Sequence, residues 1–434
     1  MTKSRTLALV ASAALLLAAA CGSSKEASTT GGSTQTTALQ KVGGSMEVAA
    51  VWSGEEQAKF KKVLDAFTAK TGTTVTFTST GDDIATVLRT RLQGGSPPDV
   101  AILPQPGLMK DLASQNALKP IETIVGKQID DNWAKDWRTL GTVNNQLYGL
   151  FYKGANKSTI WYSTKAFSAA GVKPPDTFDD LLKDAQTIKD SGVAPFSIGG
   201  SDGWTLTDLF ENIYVRQAGP DKYDSLSTHS MPWTDPSVKQ ALTDMAKVLD
   251  PKLVNGSATS VTFEQSVNNV FKQPPAAAMI PEGDFVPGVA TVPAKAVQDF
   301  NQFPFPSVGD SPSMVVGGGD AAVMMKDTPQ AHAFISFLAT TEAAEIYAKQ
   351  GGFSSPNKAL DASVYPDEIQ RATATALAKA QTFRFDMSDL APADFGGTVG
   401  RGEWAILQDF AKNPANVDGT ASKLEAAAAA SFKK

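Results

Sequence analysis

From residue 46 onward the chain alternates short strand patterns with amphipathic helix patterns, and this alternation restricts the possible folds more than any other feature. The stretches "MEVAAVW" (46–52), "TVTFTS" (74–79) and "DVAIL" (99–103) are typical of strands. A helix pattern separates each pair of strands, and the second helix pattern covers "DDIATVLRTRLQGG" (82–95). The β-α-β-α-β order predicts an α/β fold with a mostly parallel sheet covered by helices.

The first helix pattern carries its apolar residues at positions i, i+3, i+4 and i+7, which places them on one face. These residues are Phe60, Val63, Leu64 and Phe67. Ser53, followed three residues later by Glu56, predicts a capping box at the start of this helix, and Gly72 predicts its end. We therefore expect the helix to pack one face against the sheet.

Three polar loops follow the predicted strands, namely "WSG" (52–54), "STGDD" (79–83) and "LPQPG" (103–107). Ligands of open α/β sheets bind at the carboxyl ends of the strands, so these loops are candidates for a binding site. They supply an indole, hydroxyls, carboxylates and an amide, but no positive charge. This set suits a neutral polyhydroxylated ligand better than a phosphate or a carboxylate.

The length and the charge of the chain limit its architecture and its partners. A chain of 434 residues is long for one domain and predicts two lobes, and 42% hydrophobic residues suffice for a sizeable core. Removal of an N-terminal leader would take away Lys3 and Arg5 but no acid, so the formal net charge would fall from -6 to -8. Nucleic acid is a poor partner for such a surface.

The N-terminus is typical of an export signal, with Lys3 and Arg5 before an apolar run that ends at residue 20. The only cysteine, Cys21, follows that run and precedes a Ser/Thr/Gly-rich tract. This arrangement resembles the lipobox of bacterial lipoproteins. The resemblance implies cleavage after residues 1–20, a lipid on Cys21, and a flexible tether over 21–43 at the extracytoplasmic face of the cell membrane. An ordinary signal peptide with an incidental cysteine is the alternative.

The sequence contains no recognisable metal or catalytic signature. Only two histidines occur, His229 and His332, and Cys21 is committed at the terminus, so a zinc site is not expected. A phosphate loop and an H-E-x-x-H motif do not occur. We predict no metal, no cofactor and no catalytic residue.

Four segments occur in an order that resembles a known family. They begin "VWSGEEQAKF", "GGSPPDVAILPQPG", "YGLFYKGANKSTIWYS" and "VVGGGDAAVMMKDTPQAHAFISF", at residues 51, 94, 148 and 315. In this order they resemble the carbohydrate-binding lipoproteins of ABC importers, the extracellular solute-binding proteins of family 1. The tail "SDLAPADFGG" is similar to the α-glucoside-binding branch. The resemblance covers residues 44 to 432.

The resemblance implies a two-lobed periplasmic-binding-protein fold, the Venus flytrap, with a ligand cleft between the lobes and three crossings. We expect the crossings near residues 151–157, 312–318 and 351–358. The N-terminal lobe would comprise 44–152 and 318–352, and the C-terminal lobe 153–315 and 358–434. The stretches "VGGGD" and "KQGGFSSPN" at two of the crossings contain enough glycine to absorb a hinge rotation.

Sugar recognition needs flat apolar faces for the ring and fixed donors and acceptors for the hydroxyls. Loop position and the resemblance together select twelve candidate ligand-binding residues. They are Trp52, Asp83 and Gln105 from the first lobe, Trp204, Asp208, Asp284 and Phe285 from the second, Gly318 and Asp320 at a crossing, and Arg384, Asp386 and Asp389 near the C-terminus. Glu282 is a reserve candidate.

Several of these candidates have an equally good structural explanation. Trp52 could be a core residue, and Gly318 with Asp320 could form a hinge with a helix-capping carboxylate. Arg384 with its neighbouring acids could clamp vicinal hydroxyls or form a surface ion pair. Trp404 could be a third stacking ring or pack the C-terminal helices.

The resemblance implies a monomeric binding protein that closes on a sugar and delivers it to the permease of an ABC importer. The function predicted is high-affinity binding of a carbohydrate, an α-glucoside or oligosaccharide, without enzymatic activity. Two alternatives remain open: a secreted glycosidase with paired carboxylates, and a component of a sugar-sensing receptor.

Overall fold

The fold is given by a computed structural model, which describes residues 41–291, 299–312, 314–379 and 383–432. The predicted leader and Cys21 lie outside the described residues, as does the predicted tether up to residue 40. Within the described ranges, no helix combines the length and the apolar character that crossing a bilayer requires.

The N-terminal region forms the alternating elements that the sequence predicts. In chain order they are β1 (Ser45–Ala50), α1 (Gly54–Thr71), β2 (Thr74–Ser79), α2 (Ile84–Gln93), β3 (Val100–Leu103), α3 (Pro106–Ser114), α4 (Glu122–Asn132), α5 (Lys135–Leu140), β4 (Thr142–Val143), β5 (Gln146–Leu147) and β6 (Gly149–Asn156). Strand β1 pairs in parallel with both β2 and β3, which confirms the predicted parallel arrangement. The four apolar residues predicted for one face of α1 are all buried.

The middle of the chain forms a second set of strands and helices. These are β7 (Thr159–Ser163), α6 (Thr164–Ala170), α7 (Phe178–Asp190), β8 (Ala194–Phe196), α8 (Trp204–Ala218), α9 (Pro220–Ser227), α10 (Pro236–Val248), α11 (Phe263–Phe271), β9 (Ala277–Pro281), α12 (Val286–Val289) and β10 (Phe300–Pro304). Their strands form a four-stranded sheet in the order β10-β7-β9-β8. Its core lies against α7, α8 and α10.

The C-terminal third returns to the first sheet and then to the second core. Its elements are β11 (Val315–Met324), α13 (Pro329–Leu338), α14 (Thr341–Ala348), α15 (Glu368–Lys379), β12 (Phe383–Phe385), α16 (Met387–Leu390), α17 (Ala393–Gly396), α18 (Gly402–Lys412) and α19 (Val417–Ser431). Strands β11, β12 and β6 complete a six-stranded sheet with β1, β2 and β3. Residues of α18 and α19 belong to the core of the four-stranded sheet.

Strand β12 pairs in parallel with β11, and Tyr365 and Ala374 pack in the core of the six-stranded sheet. The predicted boundary at residue 358 assigns these residues to the C-terminal lobe, whereas their packing partners lie in the sheet of the N-terminal lobe. The lobe boundaries themselves stay a prediction.

Strands β6 and β11 run antiparallel and place Lys153 opposite Asp320, with a register shift directly after Asp320. The glycines of β11 are required here by close packing. A Cβ on Gly317 would lie 1.9 Å from the ring of Phe383, and a Cβ on Gly319 would lie 2.8 Å from the carbonyl oxygen of Lys153. Absence of a side chain therefore lets neighbouring groups approach the middle of this strand pair.

The predicted capping box does not form at the start of α1. The Ser53 side chain makes no capping hydrogen bond. Glu56 instead accepts a hydrogen bond from Lys153 Nζ at 2.8 Å. The local signal for a cap is outweighed by the need of a buried ammonium group for a partner.

We expect Gly352→Ala to destabilise the protein much more than Gly171→Ala. Both glycines adopt positive φ, 74° and 70°, and an alanine there costs about 1 kcal/mol in backbone strain. At Gly352 the added Cβ would also lie 2.2 Å from the Cα of Gly288, whereas at Gly171 it meets nothing within 4 Å. This overlap should add about 1–3 kcal/mol, measured by urea unfolding, and equal costs would contradict it.

Candidate functional site

A cavity of about 310 Å³ lies where loops and strands of the two sheets meet. Its wall comes from the carboxyl ends of β1, β2 and β3, from β6 and β11, and from the loops before α8, α11 and α12. The residues that line it include Trp52, Glu56, Asp82, Gln105, Lys153, Lys157, Asp202, Trp204, Thr262, Phe263, Glu264, Phe285, Gly319, Asp320, Asp389 and Trp404. This is a concave site with aromatic, acidic and basic groups in one wall.

Six of the twelve candidate residues predicted from the sequence line this cavity: Trp52, Gln105, Trp204, Phe285, Asp320 and Asp389. The other six lie outside its lining: Asp83, Asp208, Asp284, Gly318, Arg384 and Asp386. Trp404, for which two roles were open, belongs to the lining as well. A ligand contact of any of these residues stays a prediction.

Two of the outlying candidates are neighbours of residues that do line the cavity. Residues 81–83 form one turn of 3-10 helix, in which successive side chains point about 120° apart. Asp82 therefore faces the cavity while Asp83 is exposed. On β11 Gly319 lines the cavity, whereas the position of Gly318 is filled by the side chain of Lys157. A loop can be located from sequence, but the orientation of each residue within it depends on the turn.

Asp284 does not line the cavity; its carboxylate bonds the end of β6 and the segment after α14. Its carboxylate accepts hydrogen bonds from Asn156 N at 3.1 Å and from Ser354 Oγ at 2.5 Å. Burial raises the pKa of Asp284 to about 6, although these hydrogen bonds oppose the increase. The carboxylate therefore ties the end of β6 to the segment after α14.

Arg384 has an ion-pair partner away from the cavity. Its Nε lies 2.6 Å from Asp224 Oδ1, and its Nη1 donates to the carbonyl oxygen of Phe383. The neighbouring Asp386 is buried and binds Lys157. The two residues thus belong to different charge clusters, and they do not pair with each other.

The aromatic side chains of the cavity support one another edge to face. The ring of Trp204 lies 4.9 Å from Phe263 and 5.9 Å from Phe285, and Phe263 lies 5.5 Å from Phe285. Trp52 on the opposite side packs against Phe60 at 4.8 Å. Edge-to-face packing fixes the orientation of each ring. Trp52 is only 2% exposed and also belongs to the core of the six-stranded sheet.

Lys157, directly after β6, lines the cavity and binds three carboxylates, one of which, that of Asp389, also lines it. Its Nζ lies 3.1 Å from Asp208 Oδ1, 2.6 Å from Asp386 Oδ2 and 3.3 Å from Asp389 Oδ2. Burial disfavours the charge on Lys157, but the three carboxylates raise its pKa well above the usual range. One ammonium group therefore ties α8 to the segment around α16.

The carboxylates around Lys157 do not all carry a full charge. Burial alone would raise the pKa of Asp386, but Lys157 and the surrounding hydrogen bonds hold it below its usual range. Burial and the charge of Asp386 raise the pKa of Asp389 to about 8. Glu403 is fully buried, neither Oε has a hydrogen-bond partner within the described ranges, and burial raises its pKa well above its usual value. The cluster thus retains protons at neutral pH.

The sequence-based candidates did not include Lys153 and Lys157. Both occur in "FYKGANK", and every residue of strand β6 is buried. Lysine within an otherwise apolar strand is rare, because a buried ammonium group must be paired. That contrast is the sequence signal by which they could have been found.

In the part of the chain that the structure describes, no group of three or more His, Cys, Asp or Glu side chains has a geometry that could hold a metal ion. Among the carboxylates of the cavity, Glu56 accepts a hydrogen bond from Lys153 Nζ and Asp202 accepts one from the backbone N–H of Phe263.

The fold and the site can be compared with known proteins. Residues 52–345 match the family model of bacterial extracellular solute-binding proteins, which is more than half of the chain. The chain belongs to this solute-binding protein family. It is 33% identical over 395 residues to the alpha-glucosides-binding periplasmic protein AglE of Rhizobium meliloti, covering 87% of this chain and 85% of the relative.

A second relative of this solute-binding protein is the osmoprotective compounds-binding protein GgtB of a Synechocystis species. The identity is 32% over 375 residues, covering 84% of this chain and 87% of the relative. Among solved structures, the bacterial solute receptor AcbH superposes with a TM-score of 0.81 at 19% identity, covering 90% of this chain and 100% of that one. At this identity the likeness concerns the fold, and it confirms the predicted periplasmic-binding-protein architecture.

Titration of Asp82 should make the stability of the ligand-free protein depend on pH. Burial and the nearby Asp202 raise the pKa of Asp82 to about 7, while hydrogen bonding with Trp204 opposes the increase. The folded state therefore keeps a proton that the unfolded state loses above pH 4, so stability falls as pH rises from 4 to 7. Asp82→Asn removes this loss and should be more stable than the wild type by roughly 1–3 kcal/mol at pH 8.

This difference should shrink towards pH 5, as measured by urea unfolding at several pH values. Asp83→Asn is the matched control, because its side chain is exposed and lies outside the cavity lining. A pH-independent difference between Asp82→Asn and the wild type would contradict the assignment.

Proposed function

We propose that this solute-binding protein is the carbohydrate-binding component of an ABC importer and that its ligand is an α-glucoside or an α-linked oligosaccharide. The observation that carries the proposal is the cavity wall, in which tryptophan rings stand beside carboxylates and an amide. A pyranose offers apolar faces for the rings and hydroxyl groups for the polar side chains. Trp52 and Trp204 supply rings on opposite sides, and Gln105 and Asp320 supply polar groups.

The charge of the wall favours a neutral ligand. Among the described residues, the cavity is lined by six acidic side chains and two basic ones, Lys153 and Lys157. The acidic ones are Glu56, Asp82, Asp202, Glu264, Asp320 and Asp389. Each of these lysines is already bonded to at least one carboxylate. Asp389 and Asp82, with pKa values raised to about 8 and about 7, are partly protonated at neutral pH. The remaining carboxylates would repel an anionic solute in this partly dehydrated site, whereas a neutral sugar would not be repelled.

The relatives support the choice of sugar class. AglE is named for alpha-glucosides and GgtB for osmoprotective compounds. Both are aligned with this chain over most of their length. We therefore place α-glucosides first among candidate ligands.

The proposal extends to the partners of the protein and to its state. It acts as a monomer whose two lobes close on the sugar, it presents the closed form to the permease subunits, and it leaves the sugar chemically intact. It is held at the outer face of the membrane by a lipid on Cys21. Mass spectrometry of the membrane-bound protein tests the anchor, since an unmodified Cys21 or an N-terminus at another residue would exclude it.

The ligand class is tested by thermal unfolding of the purified protein with maltose, trehalose, sucrose, maltotriose, polyols, glucuronic acid, amino acids and phosphate. A ligand at 100 times its dissociation constant adds roughly 2.7 kcal/mol to the stability of the folded state. We expect a rise of a few degrees with one or more α-glucosides and none with the anions or amino acids. The sugar should be recovered unchanged by chromatography.

Trp204→Ala should lower the affinity for that sugar at least tenfold, because it removes one ring from the wall. Lys127→Met, whose side chain is 84% exposed, is the control and should bind like the wild type. No stabilisation by any sugar would refute the carbohydrate assignment, and consumption of the sugar would indicate the glycosidase instead.

A further inference from the structure

In the described part of the chain two lysines line the cavity, and Lys153 differs from Lys157 in the number of N–H donors that have a partner. Its side chain is only 4% exposed, and it lies on β6, one of the strands that lead from one sheet to the other. An ammonium group has three N–H donors. One of them bonds Glu56 Oε1 at 2.8 Å. Within the described residues the other two have no acceptor, and the side chain lines the cavity.

Lys157, four residues later, provides the contrast. Its ammonium group has three carboxylate partners, from Asp208, Asp386 and Asp389. These partners use all three of its donors, so Lys157 can offer a ligand its charge but no hydrogen bond. Of the two lysines in the wall, only Lys153 has donors to spare.

Asp320 stands directly across from Lys153 in the antiparallel pair of β6 and β11. Residues opposite each other in such a pair project from the same face, about 5 Å apart at Cβ. The Asp320 carboxylate lines the cavity and accepts no hydrogen bond from a described side chain or backbone group. Burial raises its pKa to about 6 and Lys153 opposes that increase, so the carboxylate is mainly ionised at neutral pH.

Two aromatic rings lie close to the ammonium group, one from each sheet. Its Nζ lies 5.4 Å from the centre of the Trp52 ring, which follows β1 of the six-stranded sheet. It lies 5.7 Å from the centre of the Phe285 ring, which follows β9 of the four-stranded sheet. Cation–π contacts with both rings, together with the bond to Glu56, hold the free donors in a fixed direction.

We propose that Lys153 and Asp320 together read one pair of neighbouring hydroxyl groups on the sugar, with Glu56 as the positioning residue for Lys153. Lys153 donates to the oxygen of one hydroxyl, and Asp320 accepts from the adjacent one. Donor and acceptor in fixed positions a few ångströms apart match the two oxygens of a vicinal diol. The inference rests on the proposed function and specifies which chemical feature of the sugar the site selects.

The test measures affinity by calorimetry at pH 7.5 for trehalose, maltose and sucrose, and for the monodeoxy analogues of the glucosyl unit in the tightest binder. The wild type should lose 10- to 100-fold in affinity when either of two adjacent hydroxyls is removed, because a site that bonds a hydroxyl is left with an unpaired charged group. Removal of the remaining hydroxyls should cost less.

The variants assign each hydroxyl to its partner. Asp320→Asn, which preserves shape, should weaken the parent sugar 10- to 100-fold but bind the analogue lacking one of the two hydroxyls as the wild type does, within threefold. Lys153→Met should bind the analogue that lacks the adjacent hydroxyl with the same affinity as the wild type does. Lys153→Arg should recover part of the wild-type preference for the parent sugar over that analogue. Lys127→Met is the control for loss of a lysine.

Two negative outcomes are distinct. If the wild type binds a sugar but the two variants weaken the parent and every analogue by the same factor, Lys153 and Asp320 have only a structural role and this inference is overturned. If the wild type binds no sugar of the thermal-unfolding panel, the proposed function fails first and the inference fails with it. If Lys153→Met does not fold, the affinities of Asp320→Asn test the inference, because this substitution does not change the size of the side chain.

Discussion

The burial of two ammonium groups on one strand is the constraint from which the rest of the site follows. Lys153 and Lys157 lie in or directly after β6, where neither can be solvated by bulk water. An unpaired buried charge costs several kcal/mol, so each lysine requires at least one carboxylate as an ion-pair partner. Lys153 forms an ion pair with Glu56 of α1, and Lys157 forms ion pairs with acids of α8 and of the segment around α16. Charge pairing thereby joins parts of the chain that are up to 232 residues apart.

The same constraint explains the chemical character of the cavity. Burial, and secondarily the charge of neighbouring carboxylates, raises the pKa of several acids around the cavity, and Glu403 and Asp389 are the clearest cases. Such an arrangement is costly for folding, and proteins tolerate that cost most often at functional sites. A wall of fixed donors, acceptors and supported rings is preorganised, so little further ordering is needed when a ligand binds.

Much of the fold could be predicted, but only half of the candidate site. The period-two pattern of β2 and the apolar face of α1 are local signals, and the structure confirms both. The loops after the first three strands contribute Trp52, Asp82 and Gln105 to the lining of the cavity. The capping box failed, because Glu56 bonds a lysine almost a hundred residues away. Asp82 faces the cavity instead of Asp83, because a single 3-10 turn decides which of two adjacent acids points inward.

The parallel sheet, the packed face of α1 and the family could be predicted, because they depend on residues close together in the chain or on the order of motifs. Which charges meet depends on the tertiary structure. The partners of Lys157 come from two distant segments, and the cross-strand pairing of Lys153 with Asp320 depends on a register that skips one position. Electrostatic pairing acts over distances in space, and the linear sequence does not state those distances.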